Sequence, residues 1–373
     1  MTAKIPMQGP NSLDKPHDMS DIKARKADHI ALCETDEVAF QQKTNLLDDL
    51  ELVHDALPEL SLDDIDMRTS FAGKPLKAPL IIAAMTGGVE RADAINRELA
   101  EVAERHGIGF GFGSQRPLLE KGIALGYQVR DEAPSTLILG NIGIVQARQT
   151  STSALAELVS TCGADALCVH LNPAMEVIQP EGDRDFRGGL ETIERLVNEL
   201  PVPVVVKETG CGLSRSVGQR VKALGVEWVD TSGAGGTSWV GVETLRAPED
   251  GTRALGQRFW DWGIPTAASV AQLDGLGLGV CATGGVSNGL MAARAIALGA
   301  TCVGVARPFL QAWAAGGPTG LDAAIVRFLD ELRLAMLLTG SRTPAELRQK
   351  PLVVGPRLNR WIPRGAPMRD RFL

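Results

Sequence analysis

From Pro79 onward the chain repeats one pattern: an apolar run of strand length, then small or polar residues, then a helical stretch. Eight such runs follow one another, PLIIAAM from 79, GIGFGFG from 107, TLILGN from 136, ALCVHL from 166, VPVVVKE from 202, EWVDTSG from 227, GVCATGG from 279 and TCVGVAR from 301. Runs that are continuously apolar, and not alternating, belong to strands covered on both faces, which means a parallel sheet. Eight in succession close into a (β/α)8 TIM barrel more readily than they spread as an open sheet. Helices are expected between them, such as Ala92 to Arg105, with Ala94, Ile95, Leu99, Val102 and Ala103 on one face, and Gly189 to Leu200. The stretch between the sixth and seventh runs is too long for one helix and predicts an extra loop over the top of the barrel. We read residues 1–22 as a mobile N-terminal arm, 23–340 as a single barrel domain with an N-terminal substrate-binding segment, and 341–373 as a C-terminal tail. Leu321 to Thr339 reads as a long amphipathic helix, and the Pro/Arg-rich stretch from Gly355 to Leu373 as disordered or as an oligomer arm.

Composition excludes several functions. A net charge of −7 gives no basic footprint for nucleic acid, and a single Tyr gives no aromatic platform for stacked bases. The six cysteines form no CxxC pair and read as buried thiols in a reducing compartment. The opening MTAKIPMQGPNSLDKPHDMS has no apolar signal core, and no apolar run approaches the ~20 residues of a membrane span, so a cytoplasmic protein is expected.

In such barrels the chemistry sits where the strands end, because the loops converge there. Those ends read Met85-Thr86-Gly87-Gly88, Ser114-Gln115-Arg116, Asn141, His170 with Asn172, Lys207-Glu208-Thr209, Thr231-Ser232-Gly233, Gly284-Gly285 and Ala306-Arg307. Every end carries small or hydrogen-bonding residues, which a purely structural barrel does not need. Glycines at 87–88, 233–236 and 284–285 let backbone approach a flat or phosphorylated ligand. The last pair precedes a helix start suited to an anion. Lys207 closes a β-branched strand, so its ammonium emerges among the ligands and can favour an anionic reduced flavin. Glu176 near Asn172 offers hard oxygens without Cys/His spacing, a site for Mg²⁺ shared with substrate phosphates.

At this point ten ordered motifs, among them RKADHI, APLIIAAMTGG, GSQR, GNIG, HLNP with EVIQPEGDRDFRG, VKETG and DTSGAGGTSW, resemble the type 2 isopentenyl-diphosphate isomerases. The likeness runs from Arg25 to about Leu310. It implies a barrel enzyme that binds FMN and Mg²⁺, takes reducing equivalents from NADPH, and interconverts isopentenyl and dimethylallyl diphosphate without net redox change. It implies a flavin site of Ala84, Met85, Thr86, Ser114, Asn141, Lys207, Ser232, Thr237, Gly284, Gly285, Ala306 and Arg307. The diphosphate and substrate would meet Arg25, Lys26, Gln115, Arg116, His170 and Asn172, with Glu176 on the metal; His170, Asn172 and Lys207 are the catalytic candidates. A homo-oligomer, a tetramer or octamer, is implied as well.

Two positions depart from that family. Met175 stands where a Gln usually precedes the metal-binding Glu, and a thioether donates no hydrogen bond. Ser287 stands where many relatives carry Arg, yet Ser still bonds phosphate. Other readings of the same barrel are an enzyme acting on a different prenyl diphosphate, an FMN oxidoreductase such as a hydroxy-acid oxidase, and an inactive ligand-sensing barrel. The oxidase would want a His near the seventh strand, and none follows His170.

Overall fold

The structure is a computed structural model and describes residues 19–247 and 250–373. Eight parallel strands close into a barrel, each paired with the next and the last with the first. They are β1 (Leu80–Ile82), β2 (Gly109–Gly111), β3 (Ile138–Gly143), β4 (Ala166–Leu171), β5 (Val204–Glu208), β6 (Trp228–Asp230), β7 (Gly279–Thr283) and β8 (Cys302–Val305). Seven of the eight fall inside the apolar runs read from the sequence, and β3 begins inside its run and ends two residues beyond it. Apart from β3 and β4, each run is longer than its strand because flanking residues bend out into the loops.

Side-chain alternation divides the core in two. Leu139, Ala166, Cys168, Val205, Cys281 and Cys302 fill the barrel interior, whereas Val204, Val206, Val169 and Val303 pack outward against the helical ring. A hairpin of Thr69–Phe71 and Lys74–Leu76 plugs one end of the barrel. Its Phe71 and Leu76 are buried among the interior residues, and Phe71 meets Trp228 edge-on with ring centroids 5.0 Å apart.

The helices that bear on the site are α1 (Met19–Cys33), α2 (Glu90–His106), α3 (Pro173–Ile178), α4 (Gly189–Glu199), α5 (Trp239–Arg246), α6 (Asp250–Phe259), α7 (Thr266–Leu273), α8 (Gly289–Leu298) and α9 (Arg307–Leu338). The sequence reading put the mobile arm at residues 1–22. Residues 1–18 lie outside the described residues, and residues 19–22 begin α1 instead of belonging to an arm. The long stretch between β6 and β7 carries α5, α6 and α7, three helices where an extra loop was expected. In α9 the backbone leaves helical geometry at Gly316 and Gly317, just before Pro318, so the amphipathic helix read from Leu321 is the second limb of a kinked one.

The C-terminal stretch, read as disordered or an arm, packs on the barrel. Leu352–Val354 pairs antiparallel with Leu50–Leu52, Met368 is buried, and the Arg371 guanidinium donates to the Ala297 carbonyl at 2.7 Å. Its prolines and arginines are spent on turns and on bonds to backbone carbonyls, which a compositional reading takes for disorder.

Candidate active site

Register sets the floor of the site. His170 on β4 lies opposite Lys207 on β5, and Lys207 opposite Asp230 on β6. On β5, Val205 and Lys207 therefore point into the barrel while Val204, Val206 and Glu208 point out. That alternation carries an ammonium to the centre of the mouth at the end of an otherwise apolar strand.

Above this floor lies a cavity of about 400 Å³, lined by residues from all eight strand ends. Every flavin-site residue expected from the sequence lines it: Ala84, Met85, Thr86, Ser114, Asn141, Lys207, Ser232, Thr237, Gly284, Gly285, Ala306 and Arg307. So do Lys26, Arg116, His170, Asn172 and Glu176. Gln115 does not. It is wholly buried and its carboxamide is committed inside the protein, Oε1 accepting from the Asn141 N–H at 2.7 Å and Nε2 donating to Cys162 Sγ at 2.9 Å. It braces Asn141 from behind and faces no ligand. Arg25 belongs to α1, but its side chain lies outside the described residues.

The wall also holds residues the sequence reading did not assign, among them Gln146, Gln179, Thr209, Trp239 and Thr283. Thr209 and Thr283 stand at strand ends and were open to the same rule that found their neighbours. Trp239 had no such signal, because it reaches the mouth only through the turn into α5.

His170 Nδ1 and Asn141 Oδ1 are 2.8 Å apart, and Asn141 Nδ2 donates to the Phe112 carbonyl. Oδ1 is thus an acceptor, Nδ1 carries the proton, and Nε2 is left as an acceptor. Burial, reinforced by Lys207 and Lys26, pushes the imidazole down to about 3, so it is neutral at physiological pH. Burial alone would lower the Lys207 ammonium as well, but its neighbours, Asp230 foremost with Nζ–Oδ2 of 3.2 Å and then Cys168 and Cys281, more than offset this and the net direction is upward. Glu208, facing outward, is pushed up to about 8 by its burial.

Glu176 is buried and engaged on both oxygens, Oε1 accepting from Asn172 Nδ2 at 2.7 Å and Oε2 from the Asp183 N–H at 2.9 Å. No group of three or more His, Cys, Asp or Glu suited to a metal occurs among the described residues. A single fixed carboxylate on a cavity wall suits only an ion that takes its other ligands from water and phosphate, which is how Mg²⁺ is usually held.

Two wall hydroxyls, Thr86 Oγ1 and Thr209 Oγ1, are buried with no hydrogen-bond partner in the protein. Such groups cost stability unless a ligand satisfies them. The loops after β6 and β7 touch backbone to backbone, and a Cβ on Gly236 would sit 2.4 Å from the Gly285 nitrogen. Gly284 and Gly285 hold φ of 109° and 75°, which L side chains rarely adopt. The start of α8 is less open to an anion than the sequence suggests. Asn288 Oδ1 accepts the Met291 N–H, and Glu331 accepts that of Gly289 at 2.8 Å. The loop of Gly284 to Ser287, and not that helix start, lines the cavity.

Helix α1 covers one side of the mouth, with Lys26, His29, Ile30 and Cys33 on the wall. His29 Nε2 lies 2.8 Å from the wholly buried Glu243 of α5, and its ring meets Trp239 edge-on at 5.3 Å. Arg246 bonds Glu243 at 2.8 Å and Asp28 at 3.2 Å, tying the two helices together.

The chain is 42% identical to the isopentenyl-diphosphate delta-isomerase of Methanothermobacter thermautotrophicus over 344 residues, 91% of this chain and 96% of that protein. It is 47% identical to the isopentenyl-diphosphate delta-isomerase of a Synechococcus strain over 334 residues, 88% and 96% of the two. This chain belongs to the isopentenyl-diphosphate delta-isomerase family. A model of the FMN-dependent dehydrogenases matches residues 19–176 and 172–354 of this isomerase-family chain. Solved structures repeat the fold at low identity. A mandelate oxidase variant with (S)-mandelic acid superposes with a TM-score of 0.63 at 18% identity, over 90% of this chain and 98% of that one. A flavocytochrome b2 variant with benzoylformate gives 0.65 at 18%, over 88% and 82%. They share the (β/α)8 barrel with this isomerase-family chain. No helix among the described residues is long and apolar enough to cross a membrane.

Proposed function

We propose that the chain interconverts isopentenyl and dimethylallyl diphosphate, with FMN in the barrel mouth, NADPH as its reductant, and Mg²⁺ held between Glu176 and the diphosphate. One observation carries this: a single cavity unites unsatisfied hydroxyls and a glycine cradle with Lys26, Arg116, His170, Asn172 and Glu176, a set suited to a diphosphate and its cation. Arg and Lys neutralise a diphosphate, and a divalent ion held at Glu176 would add positive charge beside it.

When bound, reduced FMN supplies proton-transfer chemistry at the substrate carbons. The protein's own groups do the rest. Thr86, Thr209 and the loop of Gly284 to Ser287 fix the cofactor, and Lys207 holds a positive charge at the cavity floor. Arg116 and Lys26 grip the diphosphate, and Asn172 steadies Glu176 against the metal. Neutral His170 offers Nε2 as an acceptor and adds no further cation to Lys26, Arg116 and Lys207. Ile30, Met175, Trp239 and Leu310 keep the alkene away from water, which would otherwise quench protonation at carbon.

The purified protein is expected to show flavin absorption. Once reduced by NADPH and given Mg²⁺, it should incorporate deuterium from heavy water into both prenyl diphosphates. No incorporation into either would overturn the assignment. Met175 on the same wall favours a second reading, a different prenyl diphosphate as substrate. Met175→Gln raising turnover of isopentenyl diphosphate many-fold would support it, and little change would exclude it.

A further inference from the structure

Beneath the mouth lies a second void of about 10 Å³, walled by barrel-interior side chains that include Cys168, Lys207, Asp230, Cys281 and Thr283. Asp230 is buried and borders this lower void, not the cavity above it. Its carboxylate gathers donors from three successive strand ends. Lys207 Nζ on β5 is 3.2 Å from Oδ2, the Ser232 N–H after β6 donates to Oδ1 at 3.1 Å, and Thr283 Oγ1 on β7 donates to the same Oδ1. All three donors line the upper cavity.

Ser232 holds a φ of 35°, a conformation that strains a residue with a Cβ and persists only where its surroundings enforce it. Two bonds enforce it here: its N–H reaches both Asp230 and Thr283 Oγ1, the latter at 2.9 Å. One carboxylate below the floor thus fixes a cation and a strained turn above it.

We propose that Asp230 is a positioning residue for the isomerisation, holding Lys207 as a cation at a fixed point of the cavity floor and clamping the Ser232 turn beside it. The role deepens the function proposed above and rests on that reading, although the Lys207–Asp230 pair itself does not.

The groups around Lys207 leave Asp230 as its counter-charge. On β4 stand His170, which is neutral, and Cys168, whose thiol burial pushes up to about 12. On β7 stands Cys281, whose thiol is also raised, first by its hydrogen bond with Cys302 and then by burial. On β5 itself Glu208 faces outward and is held largely protonated near neutrality by burial. Lys26, the remaining cation nearby, bears with Lys207 on His170. With the Asp230 charge removed, desolvation of Lys207 goes unopposed and its ammonium becomes easier to deprotonate.

The test is an NMR titration of ¹³C-lysine-labelled protein without added cofactor, the Lys207 signal being assigned by its loss in Lys207→Met. In the wild type that signal should titrate above the ordinary lysine range. In Asp230→Asn its midpoint should fall by about 2 units or more, and Asp230→Glu should restore it. A Lys207 that titrates alike in wild type and Asp230→Asn overturns the proposal. If Asp230→Asn does not fold, the double variant with Lys207→Met decides: recovery of folding supports the charge pairing, and continued failure overturns it.

With cofactor, Asp230→Asn should lower kcat about tenfold with KM for the diphosphate little changed. Its rate should also fall above neutral pH where the wild type's does not. A parallel loss at every pH, without the added ionisation, would make Asp230 merely structural. A wild type that neither binds FMN nor isomerises would sink the proposed function and leave the titration result standing.

Discussion

His170 Nδ1 lies 2.8 Å from Asn141 Oδ1, so one side chain on β3 fixes the tautomer of the imidazole on β4. The folded protein holds His170 neutral down to about pH 3, first through burial, whereas an unfolded histidine protonates near 6.5. Between those values the unfolded chain binds the extra proton, so the contribution to stability is complete above about pH 6.5 and is lost as pH falls toward 3. His170→Gln should flatten that acid limb. Thermal melts at pH 7.5 and 4.5 should show a larger fall in Tm for the wild type, by something on the order of a few degrees. Equal falls in both proteins would refute the neutral assignment.

The two unsatisfied hydroxyls of the mouth make a prediction of opposite sign for the empty and the loaded protein. Thr86→Val and Thr209→Val remove groups that nothing in the protein bonds. The protein without cofactor should melt at the same temperature or higher. FMN affinity should drop several-fold for each, since a lost hydrogen bond is worth about 1 kcal/mol. Thermal melts of the cofactor-free protein check the first statement, and isothermal titration with FMN the second.

Gly285 sits at a φ of 75°, and a Cβ there would lie 2.4 Å from the Gly235 carbonyl oxygen. Gly285→Ala should force apart the loops after β6 and β7. It should cost at least tenfold in FMN binding and lower Tm, whereas Gly251→Ala, a glycine with open space around it, should do neither. Flavin retained per protein after gel filtration is the readout.

Glu243 is the buried anchor of α1, bonded to His29 and Arg246. Glu243→Ala leaves His29 without this partner and Arg246 with Asp28 alone, so α1 should loosen from α5. Trypsin should then cut at Arg25 or Lys26 several times faster than in the wild type, and KM for the prenyl diphosphate should rise while bound FMN is retained. Unchanged cleavage would mean α1 is held by packing alone.

The barrel was legible in the sequence because eight apolar runs carry the period and length of buried parallel strands. The mouth was legible because strand ends are the one place where such a chain turns polar. Lys207 illustrates this, since alternation along β5 requires it to point inward. Gln115 illustrates the limit. It stands in the same loop as Ser114 and Arg116, and only the turn into the following helix decides that it faces Cys162 and not the ligand. Asp230 was hidden for a related reason: it lies one layer below the residues that line the cavity, and neither composition nor spacing reports depth. The packing of the C-terminal stretch was not legible because the groups that hold its arginines, the Ala297 carbonyl, the Asp48 and Asp49 carboxylates and the carbonyls of its own turn, are brought together only by the fold.

The seam between β1 and β8 joins Leu80 to Val303, and beyond it Leu50 meets Val354. A chain emerging from the ribosome cannot complete either pairing until its last barrel strand has left the exit tunnel. Until then the first strands expose an open edge, so the newborn protein has to be shielded, or has to collapse quickly, before its ring can shut.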